Sequence, residues 1–193
     1  MNKLTPADLM SLEQYAKTRP EFRASVIAHK KNRRLALGDH AALYFEDRLT
    51  MQYQVQEMLR IERIFEQEGI QEELAVYNDL VPDGSNWKAT FMVEYADEAE
   101  RRVALTKLVG IELAVWLKVG DFPAIRPISN EDLERSSPDK TAAVHFMRFE
   151  LTPEMIEAVK NGVAIQGGID HAQYQCSAQV TNNIRETLAQ DLM

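Results

Sequence analysis

Apolar positions recur with a helical period up to about residue 82, and with a two-residue period in much of the remaining chain. Thr5-Pro6-Ala7-Asp8 reads as a helix start, with Thr5 as N-cap, Pro6 in the first turn and Asp8 facing the helix dipole; Leu9, Leu12 and Ala16 continue it. Thr18-Arg19-Pro20-Glu21 has the form of a second capping box and predicts a new helix running to about Arg34. Gly38-Asp39 interrupts the pattern, and the alternation of Ala41, Leu43 and Phe45 with Ala42, Tyr44 and Glu46 predicts a strand. The longest helical signal spans about Asp47 to Glu68 and closes at Gly69. A shorter helix comes next, from about Ile70 to Leu80, stopped by Pro82-Asp83-Gly84.

Beyond that point strands thicken. Trp87, Ala89, Phe91, Val93 and Tyr95 alternate with Lys88, Thr90, Met92 and Glu94. Asp97 and Glu100 open a helix that ends at Gly110, and short strands are predicted at Val115–Val119 and Ala124–Arg126. Residues 129–141, rich in Ser, Asp, Glu and Pro, read as a long loop or hinge. A strand from Ala142 to Leu151, a helix capped by Thr152-Pro153 and running to about Asn161, a strand from Val163 to Ile169 and a helix from about Thr181 to Leu192 complete the chain. This order predicts an α+β fold. Its sheet is mixed or antiparallel, with helices packed mainly on one side. One domain covers 1–193, with a helical part over about 1–82 and a strand-rich part over about 86–193.

Composition narrows the function classes. The 193 residues carry 22 Lys and Arg against 30 Asp and Glu, a net charge of −8, which disfavours non-specific binding to nucleic acid. Arg19 to Arg34 is the exception, with six basic residues and one acidic; a solvated helix face and an RNA contact are its two readings. The single cysteine, Cys176, forms no internal disulfide and no Cys-rich metal spacing exists. No apolar run approaches the roughly 20 residues of a membrane helix, and the N-terminus lacks an apolar signal core, so the expectation is a soluble, cytoplasmic protein. Serine-hydrolase, phosphate-loop, dinucleotide and His-Glu-x-x-His motifs are all missing.

Candidate chemistry starts on the long predicted helix. At about 100° per residue, Met51, Val55, Met58 and Phe65 share one direction within roughly 40°, and Glu62 falls near the middle of that stripe. Gln54 lies at its edge. A carboxylate buried there must be ion-paired, protonated or metal-bound. An internal ion pair and a functional acid or metal ligand both satisfy that placement. A stripe this wide also suits a homodimer seam. Glu57 belongs to another, partly exposed face. Among the histidines, His145 shares a strand face with Ala143, Met147, Phe149 and Leu151 and reads as a satisfied core residue. His29 and His40 read as a helix end and an exposed turn. His171 comes directly after Gly167-Gly168-Ile169-Asp170, with Tyr174 downstream, and is the candidate ligand or base; Asp170 and Tyr174 are candidate binding residues.

Four segments, LTPADLMSLEQYA, FEDRLTMQYQVQEMLRIERIFE, LVPDGSNWKATFMVEY and HFMRFELTPEMI, together with the Asp-His-x-x-Tyr run from Asp170 to Tyr174, carry a resemblance. Over essentially its full length the chain resembles the bacterial domain-of-unknown-function 3501 family, although Ala172 stands where that family usually has proline after Asp-His. The resemblance implies no established activity. It implies a setting, because relatives are commonly encoded beside rubrerythrin-like di-iron proteins and Cys-rich iron–sulfur proteins. The resulting reading is a non-catalytic accessory or binding partner of iron or iron–sulfur redox proteins. The alternative is a metal protein or enzyme holding iron, manganese or zinc with Glu62 and His171. RNA binding through the Arg19–Arg34 segment ranks third.

Overall fold

The computed structural model describes residues 3–193. Its order is α1 (Leu12–Lys31), β1 (Arg34–Ala36), β2 (Ala41–Glu46), α2 (Arg48–Glu62), α3 (Gln67–Asn78) and β3 (Asn86–Val93). Then come α4 (Glu98–Lys107), α5 (Ile111–Ala114), β4 (Val115–Val119), β5 (Ile128–Ser129) and the hairpin strands β6 (Ser136–Ser137) and β7 (Lys140–Thr141). The chain closes with β8 (Val144–Glu150), α6 (Pro153–Lys160), β9 (Ile165–His171), β10 (Tyr174–Gln179) and α7 (Asn182–Gln190). The α+β class is the one expected. All strand pairs are antiparallel: a five-stranded sheet ordered β1-β2-β3-β8-β5, a three-stranded sheet ordered β10-β9-β4, and the β6–β7 hairpin.

The inward alternation of β2, β3 and β8 buries Leu43, Phe45, Trp87, Ala89, Phe91, Met147 and Phe149. Facing them in the same apolar cluster are Leu117 and Val119 of β4, Ile165 and Ile169 of β9, and residues of α6 and α7. A second, separate cluster joins α2, α3 and the N-terminal segment through Leu4, Met51, Val55, Leu59, Leu74 and Val81.

Several local expectations change. Thr5 and Asp8 do satisfy each other, but they cap a single 3-10 turn, Pro6–Asp8. Ser11 caps the real helix, which runs through Pro20 without restarting. Pro20 has no N–H to give Ala16. The helix persists because Tyr15 on one side of the proline and Arg19 beside it are both bonded to α2. The long helix ends at Glu62, not Glu68, because Arg63 adopts a left-handed backbone (φ 58°) and Ile64 N–H returns to the Leu59 carbonyl. Ala124–Arg126 makes one bridge, Leu117 to Ile125, instead of a strand. β10 is an additional strand, foreshadowed by Tyr174, Cys176, Ala178 and Val180 at alternate positions.

One buried charge joins the layers. Arg33, 2% exposed, donates Nε to Phe45 O (2.9 Å) and Nη2 to Glu46 O (3.1 Å), and pairs with Asp47, the N-cap of α2, at 3.4 Å. It also pairs with Asp191 just past α7 and donates to Thr187 O at 3.4 Å. His29 Nε2 lies 2.5 Å from Asp47. Burial pushes the Asp47 carboxyl up, but the Arg33 charge, the Thr50 N–H and His29 together hold it below its ordinary value. Asp191 goes the other way, to about 6, because burial outweighs its share of Arg33 and Asp47 repels it.

Gly167 and Gly168 on β9 allow close approach from within the protein. A Cβ on Gly168 would collide with Trp116 Cζ2 and sit 2.6 Å from Cys176 O. Gly168→Ala should therefore cost about 1–3 kcal/mol through forced displacement of the Trp116 ring. The measurement is urea unfolding, where the midpoint should fall with an unchanged slope.

Candidate functional site

The carboxylate expected inside the apolar stripe is exposed. Glu62 occupies the last turn of α2, beside Glu73, and Phe65 lies beyond the helix at 72% exposure. A wheel drawn through Phe65 projects a helix that Arg63 has already ended. Of the stripe's other members, Met51 and Val55 are covered within the chain by the cluster of Leu4, Leu59, Leu74 and Val81, and Met58 is half-buried. Gln54 is half-buried and hydrogen-bonds Tyr77.

The partly buried charge of this helix is Glu57. It accepts from Arg19 Nε (2.7 Å), Arg19 Nη2 (2.8 Å), Tyr15 OH (2.6 Å) and Arg60 Nη2 (3.4 Å). The Arg19 hydrogen bonds, foremost, hold its carboxyl down to about 2. Arg33 is buried, Arg19 pairs with Glu57, and the exposed Arg34 bonds Tyr44 OH and Glu94, so three cations of the Arg19–Arg34 segment are ion-paired within the chain. Arg23 and Lys31 are exposed and Lys30 is half-buried.

The strand-end residues are separated in role. His171 Nε2 is 3.1 Å from Val109 O, and its Nδ1 accepts from Gln173 N at 3.2 Å. Asp170 accepts from Trp116 Nε1 (3.0 Å) and Arg126 Nη2 (2.7 Å). Tyr174 OH donates to Leu37 O (2.8 Å) and accepts from His40 N (2.9 Å), tying the small sheet to the β1–β2 turn. No interaction brings Glu62 to His171, and among the described residues no three His, Cys, Asp or Glu side chains are grouped to hold a metal ion. His145 is a satisfied core histidine. Its ring contacts Asn130 Nδ2 (3.1 Å), Thr141 Oγ1 (3.0 Å) and Ala142 O (3.0 Å), and burial keeps its pKa low. Thr141 and Ser136 in turn hold buried Glu112, at 3.4 and 2.6 Å. This network anchors the β6–β7 hairpin and is sealed from solvent at the histidine.

A cleft of 590 Å³ opens where α3 overhangs the outer face of the five-stranded sheet. Val76, Tyr77 and Leu80 form one wall, Phe146 and the outward side chains of Lys88 and Arg148 the floor, and the loop residues Glu131, Asp132 and Arg135 the other wall. Lys88 and Arg148 stand directly opposite on β3 and β8, a like-charge cross-strand pair that is unfavourable by itself. Arg148 is answered by Glu131 (2.8 and 2.7 Å) and by Glu150. Arg135 is held by Asp132 (2.6 Å at Nη2), with its guanidinium 4.5 Å from the centre of the Phe146 ring. Lys88 alone has no hydrogen bond or ion pair among the described residues. Its ammonium pKa is lowered, first by burial in the cleft floor and then by Arg148, against partial opposition from Glu131, Asp83 and Glu150. Sequence reasoning misses this site because Lys88 has the pattern of a polar partner in an alternating strand. Only the β3–β8 register sets it against Arg148.

Residues 3–192 match the family described as Protein of unknown function (DUF3501). A crystal structure of a novel protein of unknown function from Burkholderia pseudomallei K96243 is 48% identical, with 100% of each chain covered and a TM-score of 0.94. No curated protein matches. No helix among the described residues is long and apolar enough to cross a membrane.

Glu57 and Glu62 separate a structural carboxylate from a solvated one. Glu57→Gln should lose about 1–3 kcal/mol near neutral pH, since Arg19 and Tyr15 keep only a neutral partner. Glu57 is ionised in both states above its ordinary 4.5, and on acidification the unfolded chain takes its proton first. Its stabilisation is thus lost as pH falls from 4.5 toward 2, and the gap between wild type and variant should close over that window. Glu62→Gln should stay within about 0.5 kcal/mol of wild type throughout. Denaturation curves across the acid range read both.

Proposed function

The chain belongs to the DUF3501 family, proteins of unknown function, and on that footing we propose that it is a non-catalytic binding protein, an accessory to iron or iron–sulfur redox partners, whose ligand site is the cleft beneath α3. The observation that carries the binding part is the unpaired Lys88 in the floor of a cleft with one apolar wall, Val76, Tyr77 and Leu80, and the Phe146 ring beside it. Such a site suits a small, mostly apolar ligand with one anionic or hydrogen-bond-accepting group directed at the ammonium. The apolar body would lie along Tyr77, Leu80 and Phe146. The redox setting rests on what the family resemblance implies, and it is a separate part of the proposal with its own test.

Benzoate is a suitable first probe of the cleft, as a flat apolar body with one carboxylate. It should raise the thermal midpoint of the wild type and bind at least about tenfold more weakly to Lys88→Met, the effect of losing one charge-assisted hydrogen bond. Equal binding to both would remove Lys88 from the site, and no binding would overturn the ligand reading. For the accessory role, the protein used as bait in a native lysate should retain a di-iron or iron–sulfur protein, identified by mass spectrometry and iron content. Retention of neither class overturns the redox assignment and leaves the cleft to be judged by benzoate.

A further inference from the structure

We propose that Lys88 is a reactive amine that captures an aldehyde in this cleft as a reversible imine. This rests on the reading of the cleft as a ligand site and goes beyond it by naming the bond formed and the chemical class captured.

Three features of the geometry converge on the Lys88 Nζ. First, the amine is free to react: the other charged side chains of the cleft, Arg148, Arg135 and Asp79, are tied to Glu131, Asp132 and Lys3, while Lys88 has no partner among the described residues. Second, its surroundings favour the neutral amine. The groups around Lys88 are Arg148 and Glu150 on β8, Glu131 in the loop, Asp83 in the turn before β3 and Glu46 opposite on β2. Glu46 accepts from Thr90 Oγ1 at 2.7 Å and Glu131 from Arg148. The second Glu46 carboxylate oxygen has no hydrogen-bond partner among the described residues, yet burial in the cleft floor and the Arg148 guanidinium outweigh the neighbouring carboxylates, and these are the two devices that make a lysine nucleophilic. Third, the volume above the amine holds a ring-sized ligand, with Tyr77 on α3, Leu80 in the turn after it and Phe146 on β8 to cover it.

The reaction needs no oxidant or metal. Neutral Nζ attacks the aldehyde carbon, forming a C–N bond while the carbonyl electron pair moves to oxygen. A proton moves from nitrogen to that oxygen, giving the carbinolamine. The hydroxyl leaves as water with a further proton as the nitrogen lone pair closes the C=N bond. Hydrolysis reverses each step, so capture depends on aldehyde concentration and does not consume the protein.

The test uses the full chain with benzaldehyde and sodium cyanoborohydride, which traps an imine as a stable secondary amine, followed by peptide mass mapping. Near neutral pH the Lys88 peptide should be modified at least severalfold faster than those bearing the exposed Lys17 and Lys31, because burial and the Arg148 charge leave more of its amine neutral. That advantage should shrink at pH well above the ordinary lysine range, where every lysine is neutral, and vanish in denaturant. Lys88→Arg, which keeps length and charge, should remove the fast adduct, and circular dichroism identifies any variant that fails to fold. Benzoate, which cannot form an imine, should slow wild-type labelling. If Lys88 is labelled no faster than Lys17 or Lys31, the proposal is overturned. Benzoate binding without a fast adduct would overturn imine capture alone and leave the ligand site standing.

Discussion

Taking Arg33 out of water is tolerable only because five acceptors surround it: three backbone carbonyls and the carboxylates of Asp47 and Asp191. A buried ion costs several kcal/mol unless its partners are in place, and removing one partner of such a cluster typically costs about 3–5 kcal/mol. The acceptors come from the β2 edge, the N-cap of α2 and the C-terminal end of α7, with Asp191 lying 158 residues from Arg33 in sequence. Sheet, helical unit and chain end must therefore assemble together. Two carboxylates share one guanidinium, and this explains why the two shift in opposite directions. Burial raises both, but Asp47 also has Thr50 and His29 as hydrogen-bond partners, whereas Asp191 depends on Arg33 and is repelled by Asp47.

That joint fixes where α2 leaves the sheet, and the cleft results from it. Asp47 starts α2, Arg63 ends it, and α3 returns with Leu74 packed into the second apolar cluster. The clusters are separate, so α3 overhangs the sheet near Lys88 and Phe146 without closing on it. The loop carrying Glu131 and Arg135 comes in from the opposite side, anchored beyond the cleft by Ser136 and Thr141 on buried Glu112. The cavity is the gap left between two cores and a pinned loop.

What the chain reveals before folding is what depends on neighbours in sequence. The alternation of β3, the Thr152 cap of α6 and the breaks at Gly38 and Pro82 all appear where local pattern places them. Local pattern misleads where tertiary contacts override it. Pro20 sits mid-helix because Tyr15 and Arg19 hold α1 on α2 through Glu57. Arg63, a non-glycine in a left-handed backbone, carries no residue signal for a helix end, and so a helical wheel projects Glu62 onto a face it does not occupy. The expected carboxylate charge is five positions away, at Glu57, whose partner lies 38 residues upstream. Lys88 and Arg148 are 60 residues apart, and no periodicity within β3 or β8 reports that they meet.

Perturbed titrating groups occur both in structural ion pairs and in functional sites, so perturbation by itself does not separate the two. The environments here do. Glu57, Asp47 and Asp191 each have hydrogen-bonded partners that account for the space around them, and removing any of them would be felt as lost stability. Lys88 sits opposite another cation, has no side-chain hydrogen bond or ion pair among the described residues and faces a volume large enough for a ligand. An apolar side chain at that position would relieve the repulsion from Arg148 and bury better against Phe146. Glu131, Asp83 and Glu150 only partly offset the burial and the Arg148 charge that a lysine meets there, which is the pattern expected of a side chain whose partner arrives from outside.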